Sequence, residues 1–314
     1  MRTSLGWLLL GILLAALVIL SCFLGPAGFS LELLVFRLPR VILTVFAGGI
    51  LAFVGASLQG LLENPLVDPY IIGSSSGAGV GVALSLLFGW TSVFGRPLFA
   101  FAGAIGALAL VYAIASVRGR ATRLSLILSG VALSFVCSSL VMVLMVLSRS
   151  ELSQIIYLLM GSTNIIFTPQ ELWTFIVSAS LSVAGAAWIL GRWRSLDILS
   201  SNVEAAETLG VNTRRLTSEV FIISALLVGV VVAFAGAVSF VGLIVPHIVR
   251  FLFGPRHLRV LPASVLVGAS LLLASDLALR LFSMATNVYL PLSVVTTIIG
   301  VPFFLFIMKR RLSV

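Results

Sequence analysis

The side chains best suited to chemistry are few in this sequence, and they stand apart from one another. Asp276 and Arg280 are four residues apart, so on a helix they share one face and can form an ion pair. His247 follows a proline and His257 lies among arginines, and neither has a Cys, Asp or Glu at metal-ligand spacing. No nucleophile, base and acid are grouped either. We therefore predict no catalytic residue, no metal site and no cofactor bound by this chain.

Asp276 has a second interpretation, because a carboxylate within an apolar segment can relay protons. A relay needs a further carboxylate in the membrane, and the sequence offers none at that depth. A carboxylate alone at that depth is costly, so a partner is expected. Structural pairing with Arg280 is the favoured prediction.

The composition places these polar residues in a membrane. Of the 314 residues, 60% are hydrophobic and 9% are charged, whereas soluble domains carry about a quarter charged residues. Long apolar stretches recur along the chain, which indicates an all-α polytopic membrane protein. The net charge of +9 raises nucleic-acid binding as a possibility, but the arginines stand in short loops between apolar stretches. Membrane topology explains them better, and we predict no nucleic-acid partner.

Ten apolar stretches predict about ten transmembrane helices. They cover about residues 5–24, 40–61, 70–89, 97–117, 123–147, 171–191, 217–236, 239–252, 261–282 and 291–308. We interpret the first as an uncleaved span, and the eighth is short for a full crossing. With both termini cytoplasmic, 14 of the 19 basic residues lie on the cytoplasmic side, as the positive-inside rule expects. Arg37 and Arg40 are exceptions on the outer side.

A weak internal repeat relates the two halves of the chain. An offset of 181 residues gives six identical pairs: Ala52/Ala233, Phe53/Phe234, Gly55/Gly236, Ala56/Ala237, Leu62/Leu243 and Pro65/Pro246. The first copy lies in the second span and the second copy in the seventh, which run in opposite directions. This pattern predicts an inverted repeat of spans 2–5 and 7–10, as is typical of transporters.

Glycines at the start of the third span indicate close helix packing. Gly73, Gly77 and Gly81 are spaced by four, so another helix can approach that face. A phosphate-binding loop is the alternative, but no Lys-Ser/Thr follows the glycines.

Two loops on the cytoplasmic side carry further signals. Pro65 and Pro69 make the loop 63–70 rigid, which suits either a tight connection or a constriction in a pathway. In the loop at about 196–216, Ser201 or Asn202 can cap a short helix that Gly210 ends, and a second short helix is expected near Asn212. Exposed short helices indicate docking of a soluble partner, although a simple solvated connection is the alternative.

Taken together, these motifs resemble the permease subunits of FecCD/BtuC-like, or type II, ABC importers for iron–siderophore complexes, haem and cobalamin. The matching motifs are Arg37-Leu-Pro-Arg40; Gly55-Ala-Ser-Leu-Gln59 with Asn64-Pro-Leu-Val-Asp-Pro69; Gly130-Val-Ala-Leu133; Glu204-Ala-Ala with Leu209-Gly-Val-Asn212; Phe240-Val-Gly-Leu-Ile-Val-Pro-His247 with Arg250; Leu261-Pro-Ala; Asp276 with Arg280; and Gly300-Val-Pro-Phe-Phe304. They follow the family's order over nearly the whole chain. The one departure is Tyr289-Leu-Pro-Leu-Ser293, where the family often has Glu-Leu/Ile-Pro-Val-Gly before the last span.

The resemblance implies a single transmembrane permease domain over residues 1–314, with a BtuC-like fold. Its implied partners are a second copy of the chain, two copies of an ABC ATPase, an extracytoplasmic substrate-binding protein and a metal chelate, with membrane lipid around it. An iron(III)–siderophore is the first expectation for the chelate, before haem or cobalamin. The implied location is a bacterial or archaeal cytoplasmic (inner) membrane. Because the chain has no Gly-x-x-x-x-Gly-Lys-Ser/Thr motif, ATP and Mg would be bound by the separate ATPase, and this chain is expected not to be an enzyme.

The resemblance also assigns roles to residues. The implied sites for binding-protein docking are Arg37, Arg40 and Arg280; those for ATPase coupling are Glu204, Ala205, Ala206, Leu209, Gly210, Val211 and Asn212; and those of the cytoplasmic gate are Asn64, Pro65, Leu66, Thr122 and Ser125. In this family spans 5 and 10 line the pathway, so the residues that share one face of span 5 are expected to line it here: Ser134, Ser138, Met142 and Met145. Ordinary helix packing is the alternative for that face, and headgroup anchoring is the alternative for Arg37 and Arg40.

Two other classes of function stay open on the sequence. An ion-coupled secondary transporter fits the inverted repeat, but such carriers commonly keep buried carboxylates, and this chain has almost none. A membrane scaffold or receptor that transports nothing is the third possibility.

Overall fold

The computed structural model describes residues 2–25, 33–90, 95–117, 120–147, 160–164 and 167–312. Within these ranges the chain forms twelve α-helices. In chain order they are α1 Arg2–Phe23, α2 Leu34–Leu61, α3 Ser74–Leu87, α4 Gly95–Ala115, α5 Arg123–Leu147, α6 Pro169–Gly191, α7 Trp193–Leu199, α8 Val203–Thr208, α9 Thr213–Ala235, α10 Val241–Phe253, α11 His257–Thr286 and α12 Leu292–Leu312. A 3-10 helix, Pro69–Ile72, precedes α3, and strands β1 Ser116–Val117 and β2 Arg120–Ala121 form one antiparallel pair.

Each of the ten predicted apolar stretches coincides with one helix. Seven helices are long and apolar enough to cross a membrane: α1, α2, α4, α5, α6, α9 and α11. The apolar parts of α3, α10 and α12 are shorter, at Ser74–Leu87, Val241–Phe253 and Leu292–Phe306. At 1.5 Å per residue, α10 is only about 20 Å long, against a hydrocarbon core of about 30 Å. Crossing by all ten helices therefore stays a prediction.

Helix α2 lies at the centre of the fold. It packs against α9, α10 and α11, and 83% of the residues in its most apolar 18-residue stretch are buried. Glycines allow these helices to approach closely, because an added Cβ at Gly48 would overlap the carbonyl of Gly268 on α11, and one at Gly55 would overlap that of Gly242 on α10. Helix α11 therefore lies along α2 from Arg40 to Gly60, while α10 packs on the C-terminal part of α2, and both position the polar groups described below.

The predicted glycine packing on α3 is confirmed at two of its three positions. An added Cβ at Gly77 would overlap Gly103, and one at Gly81 would overlap the carbonyl of Phe99, both on α4. Gly73 has another use: it ends the 3-10 helix at φ +82°, a conformation that a residue without a Cβ adopts readily.

Replacing Gly55 with alanine should destabilise the protein by about 1–3 kcal/mol, because its new methyl group would meet backbone atoms of α10 that cannot move aside. Thermal unfolding of the detergent-solubilised protein would measure the change. Gly11→Ala on α1 is the matched control, since nothing lies within 4 Å of the added Cβ there. An equal loss of stability in both variants would contradict this account of the α2–α10 contact.

The predicted inverted repeat is not visible in the local structure of its aligned residues. Gly55 lies inside α2, whereas Gly236 ends α9 at φ +71°. Leu62 follows the end of α2, whereas Leu243 lies in the first turn of α10. The repeat of spans 2–5 and 7–10 stays a prediction.

Candidate functional site

At the N-terminal end of α2, a buried carboxylate holds two arginines. Asp276 and Arg280 lie one turn apart on α11 and are 1% and 6% exposed. Arg280 Nε donates to Asp276 Oδ2 at 2.8 Å, which confirms the predicted pair. Arg40 on α2 donates to Asp276 Oδ1 at 2.7 Å, and the hydroxyl of Thr163 donates to the same oxygen at 2.8 Å. Arg40, Thr163 and Arg280 thus donate to both oxygens of Asp276, and these bonds offset the free-energy cost of burying its charge.

Arg37 and Arg40 extend this cluster toward the surface, and both are partly exposed. Arg37 donates to the carbonyls of Cys22 and Phe23, at 3.2 and 2.9 Å, and so caps the C-terminus of α1. Arg40 also donates to Asn164 Oδ1 at 2.7 Å. Arg280 lies beneath them and donates to the carbonyl of Ser21. Among the described residues, the cluster thus brings three arginines around one carboxylate.

At the other end of α2, the loop 63–70 contains the predicted gate residues Asn64, Pro65 and Leu66, and we call it the gate loop. Gln59 joins this loop to α10. Its amide nitrogen donates to the carbonyls of Val67, Gly242 and Leu243 at 3.2–3.3 Å. Its amide oxygen accepts from Arg250 of α10. Sequence reasoning gave no role to this pair, although both residues stand in the quoted family motifs.

The gate loop is further held by residues on either side of it. Asn64 Oδ1 accepts from the backbone N–H of Leu66 at 3.0 Å, and the ring of His247 bonds to the carbonyl of Pro65 at 2.9 Å. Leu66 is 41% exposed. The loop is therefore rigid, as its prolines predict, and it presents an apolar side chain at its tip.

Thr122 and Ser125, the other predicted gate residues, form a reciprocal cap at the start of α5. The N–H of Ser125 donates to the Thr122 hydroxyl, and the N–H of Thr122 donates to the Ser125 hydroxyl, at 3.1 and 2.9 Å. The Ser125 hydroxyl also bonds to the carbonyl of Ala115 at 3.0 Å. Ser125 thus joins the start of α5 to the C-terminal end of α4, and Thr122 holds Ser125 in place.

A cavity of about 450 Å³ lies between the gate loop, α5, α12 and the residues that begin α10. Most of its wall is apolar, with Phe135, Phe240 and Phe304 among the lining residues. Asp68, Tyr70, Ser134 and Ser239 supply its polar groups. It can therefore accept an apolar group that also carries hydrogen-bond donors.

Asp68 stands at the edge of this cavity and ties the gate loop to neighbouring backbone. It accepts from the N–H of Tyr70 at 2.9 Å, and the Tyr70 hydroxyl in turn accepts from the N–H of Val238 at 2.7 Å. Removal from water raises the pKa of Asp68 from 3.8 to about 6, although hydrogen bonds from the N–H groups of Tyr70 and Phe240 oppose the shift.

This raised pKa gives a testable pH dependence. The folded protein binds the Asp68 proton more tightly than the unfolded chain, so the stability it contributes is complete below pH 3.8 and is lost as the pH rises through about 6. Asp68→Asn keeps the hydrogen-bond acceptor but cannot ionise. Relative to wild type, the variant should gain about 1–3 kcal/mol of unfolding free energy between about pH 4 and about pH 8. Unfolding of both proteins at about pH 4 and about pH 8 would measure this gain. The same difference in unfolding free energy between variant and wild type at both pH values would contradict the prediction.

The four predicted pathway residues on α5 have different surroundings. Ser134 borders the cavity, and its hydroxyl lies 3.3 Å from that of Ser76 on α3. Ser138 is exposed, and Met142 is 67% exposed. Met145 is partly buried against the core. Ser134 and Met145 therefore pack against neighbouring residues, whereas Ser138 and Met142 face outward.

The predicted coupling segment, at about residues 196–216, covers the end of α7, all of α8 and the start of α9. Asn202 caps α8 by accepting from the N–H groups of Glu204 and Ala205. Gly210 ends it at φ +80°, and the N–H of Val211 donates to the carbonyl of Ala206 at 2.9 Å. These caps confirm the predicted helix over this stretch.

The prediction of a second short helix near Asn212 was wrong. Asn212 accepts from the N–H of Arg215 and thereby caps α9, which continues unbroken to Ala235. The second short helix lies instead before the first, at α7, where buried Leu196 and Leu199 anchor it. The surface carries an exposed leucine, Leu209, at 68% exposure.

Ser293, where the sequence departs from the family pattern, fastens two connections together. Its hydroxyl lies 2.6 Å from the carbonyl of Met160 and 2.8 Å from that of Ala237. The neighbouring N–H of Leu292 donates to Gly161 at 2.9 Å. A glycine at this position could not make the hydroxyl contacts, so this chain uses its own residue to hold the start of α12.

Comparison with known proteins agrees with this arrangement. The model of the FecCD transport family matches residues 5–310. The chain is 38% identical over 276 residues to the cobalamin import system permease protein BtuC of Halobacterium salinarum, covering 88% of this chain and 72% of the relative. It is 33% identical over 330 residues to the hemin transport system permease protein HmuU of Yersinia pestis, covering 97% and 96%.

A solved structure supports the same assignment. It is described as an inward-facing conformation of a metal-chelate type ABC transporter, and it matches with a TM-score of 0.83 and 34% identity over 96% of this chain and 97% of that chain. The helical arrangement, and a sequence match that extends from α1 into α12, place this protein in the FecCD transport family.

Proposed function

We propose that this chain is the permease subunit of a binding-protein-dependent ABC importer and that two copies form the translocation pathway for a metal chelate. The observation that carries the proposal is the capped, exposed coupling segment on a membrane protein of the FecCD family. The named relatives transport cobalamin and hemin, both metal chelates, and an iron(III)–siderophore is the further candidate. ATP and Mg belong to two copies of a partner ATPase, which the segment 204–212 contacts.

The candidate surfaces lie at opposite ends of the same helices, which supports a transport path between them. Arg40 on α2 meets Asp276 near the C-terminal end of α11, whereas the gate loop follows the C-terminal end of α2. With 28 residues, α2 is about 42 Å long, enough to span a bilayer. We assign the gate and coupling segment, with both chain termini, to the cytoplasmic side of a bacterial or archaeal inner membrane, because most arginines lie there.

The pathway is assigned to the side of the molecule where α5 and α12 border the cavity. Ser134 and Phe304 contribute to its wall from these two helices, and Ser138 and Met142 continue the exposed surface of α5. In a homodimer this surface would face its copy. Asn64, Pro65, Leu66, Thr122 and Ser125 would close the cytoplasmic end.

An ion-coupled secondary transporter has less support from the site. Among the described residues, Asp276 is the least exposed carboxylate, and two arginines neutralise it. Asp68 is partly exposed at the cavity and is already bonded to the N–H of Tyr70. An ion or proton would have to displace both cations to bind there.

The arginine cluster is assigned to binding-protein docking. Arg37 and Arg40 reach the surface, and Arg280 lies below them, where it helps to hold Asp276. The arginines at this surface would attract acidic residues of the partner and fix its orientation.

Replacing Arg37 and Arg40 together with glutamine should weaken docking of the binding protein by roughly 10- to 100-fold, mainly through slower association. Binding kinetics on the permease in lipid nanodiscs, at two salt concentrations, would measure the effect. Arg214→Gln is the control, because Arg214 is an exposed arginine at the opposite end of the molecule. Unchanged affinity in the double variant would contradict the docking assignment.

The assembly itself provides the test of the proposed function. Co-expression with its partner ABC ATPase and binding protein should yield a complex of two permeases, two ATPases and one binding protein. Mass measurement of the purified complex would show this stoichiometry. Absence of any ATPase association would contradict the proposal.

A further inference from the structure

A carboxylate on α7 joins the coupling segment to the first residue of α11. Asp197 Oδ1 accepts from the backbone N–H of His257 at 2.8 Å and lies 2.6 Å from His257 Nδ1. The carboxylate therefore caps the N-terminus of α11 and fixes the imidazole ring of its first residue at the same time. His257 is 3% exposed, so this pair is buried within the protein.

The opposite edge of the His257 ring rests on α2. Its Nε2 has no hydrogen-bond partner among the described atoms, and a Cβ added at Gly60 would overlap it. An unpaired buried ring nitrogen is costly, so this orientation of the ring needs compensation from other contacts. The bond to Asp197 and the packing on α2 supply it. Gly60 directly follows Gln59, whose side chain bonds to the gate loop at the carbonyl of Val67. The imidazole thus touches the end of the helix that holds the gate.

Helix α7 lies between this contact and the exposed coupling surface. It packs against α2, α11 and α8, and its Leu196 and Leu199 are fully buried. Helix α8 packs on α7 and α9. Closely packed helices have few voids and are hardly compressible. A shift of α8 is therefore expected to move α7 relative to α2 and α11.

We propose that Asp197 and His257 are positioning residues that transmit movement of the coupling segment to the gate, through the contact of the His257 ring with Gly60. This inference rests on the proposed function, because it requires an ATPase that moves α8. Three substitutions interrupt the route at different points. Asp197→Ala removes the cap, His257→Asn keeps a donor near Asp197 but withdraws the ring edge from α2, and Gly60→Ala displaces the ring.

The experiment measures gate movement and ATP hydrolysis in the same assembled complex. A cysteine at the gate, Leu66→Cys, is labelled with a maleimide in the complete complex after Cys22 and Cys137, both buried, are replaced by alanine. In the otherwise unchanged chain, ATP should alter the labelling rate of this cysteine. In each of the three variants the ATP-dependent change should fall roughly tenfold, while assembly and ATP hydrolysis are retained.

Glu171→Gln is the matched control. It removes a carboxylate charge in the first turn of α6, at the end of that helix opposite α7 and outside this route, and it should leave the ATP-dependent change intact. Normal ATP-dependent labelling in the three variants would overturn the inference, as would loss of assembly in all three, since the residues would then serve folding alone. If the unchanged chain binds no ATPase, the proposed function itself fails, which is a separate outcome.

Discussion

Asp276→Ala should destabilise the protein by about 3–5 kcal/mol, because it leaves two buried or half-buried arginines without their counter-charge. The hydroxyl of Thr163 also loses its acceptor, which adds to the cost. Denaturant or thermal unfolding of the detergent-solubilised protein would measure this loss.

Two further variants distinguish the loss of the buried counter-charge from the cost of any substitution that removes a carboxylate. Asp276→Leu combined with Arg280→Met removes one full ion pair, and it should recover part of the lost stability, because well-packed apolar pairs can replace buried ion pairs. Glu219→Gln breaks partly exposed pairs with Arg192 and Arg215 and should cost about 0–1 kcal/mol for each pair. A loss of less than about 1 kcal/mol in Asp276→Ala would contradict the buried-cluster account.

Leu209→Asp should strongly weaken association with the ATPase. The leucine is 68% exposed and directly follows α8, which Asn202 caps at its start and Gly210 ends. These caps hold the leucine in a fixed position with its side chain in solvent. An apolar anchor of this kind contributes about 2 kcal/mol or more to an interface, so ATPase affinity should fall by roughly 30-fold or more.

Ser201→Asp is the control for the added charge. It places the same carboxylate on the same surface, outside the segment 204–212. Affinity of the purified permease for the ATPase, measured with both variants, distinguishes an apolar contact from a charge effect. Equal affinity for wild type and Leu209→Asp would place the ATPase contact elsewhere.

Local patterns in the sequence predicted much of this molecule. The apolar stretches predicted the helices, the four-residue spacing predicted the Asp276–Arg280 pair, and Asn202 and Gly210 predicted the ends of α8. These features depend on neighbours within one or two helical turns, which a sequence shows directly. The α2 helix begins at Leu34, before the predicted boundary near residue 40, and Pro39 lies in its second turn.

Contacts between distant segments could not be predicted in the same way. Arg40 meets Asp276 across 236 residues, Gln59 meets Gly242 across 183, and His257 meets Asp197 across 60. Each depends on how helices pack, which the apolar patterns leave open. The Asn212 error has a related cause, because a capping residue predicts where a helix begins but not how long it continues.

Uptake into liposomes tests the central claim most directly. The permease homodimer is reconstituted with its ATPase and binding protein, and accumulation of an iron(III)–siderophore, haem and cobalamin is followed with and without ATP. We expect ATP-dependent accumulation of at least one of these chelates, lost when the ATPase is omitted. No ATP-dependent accumulation of any metal chelate by the assembled complex, or accumulation driven by an ion gradient without ATP, would contradict the assignment of this chain as an ABC importer permease.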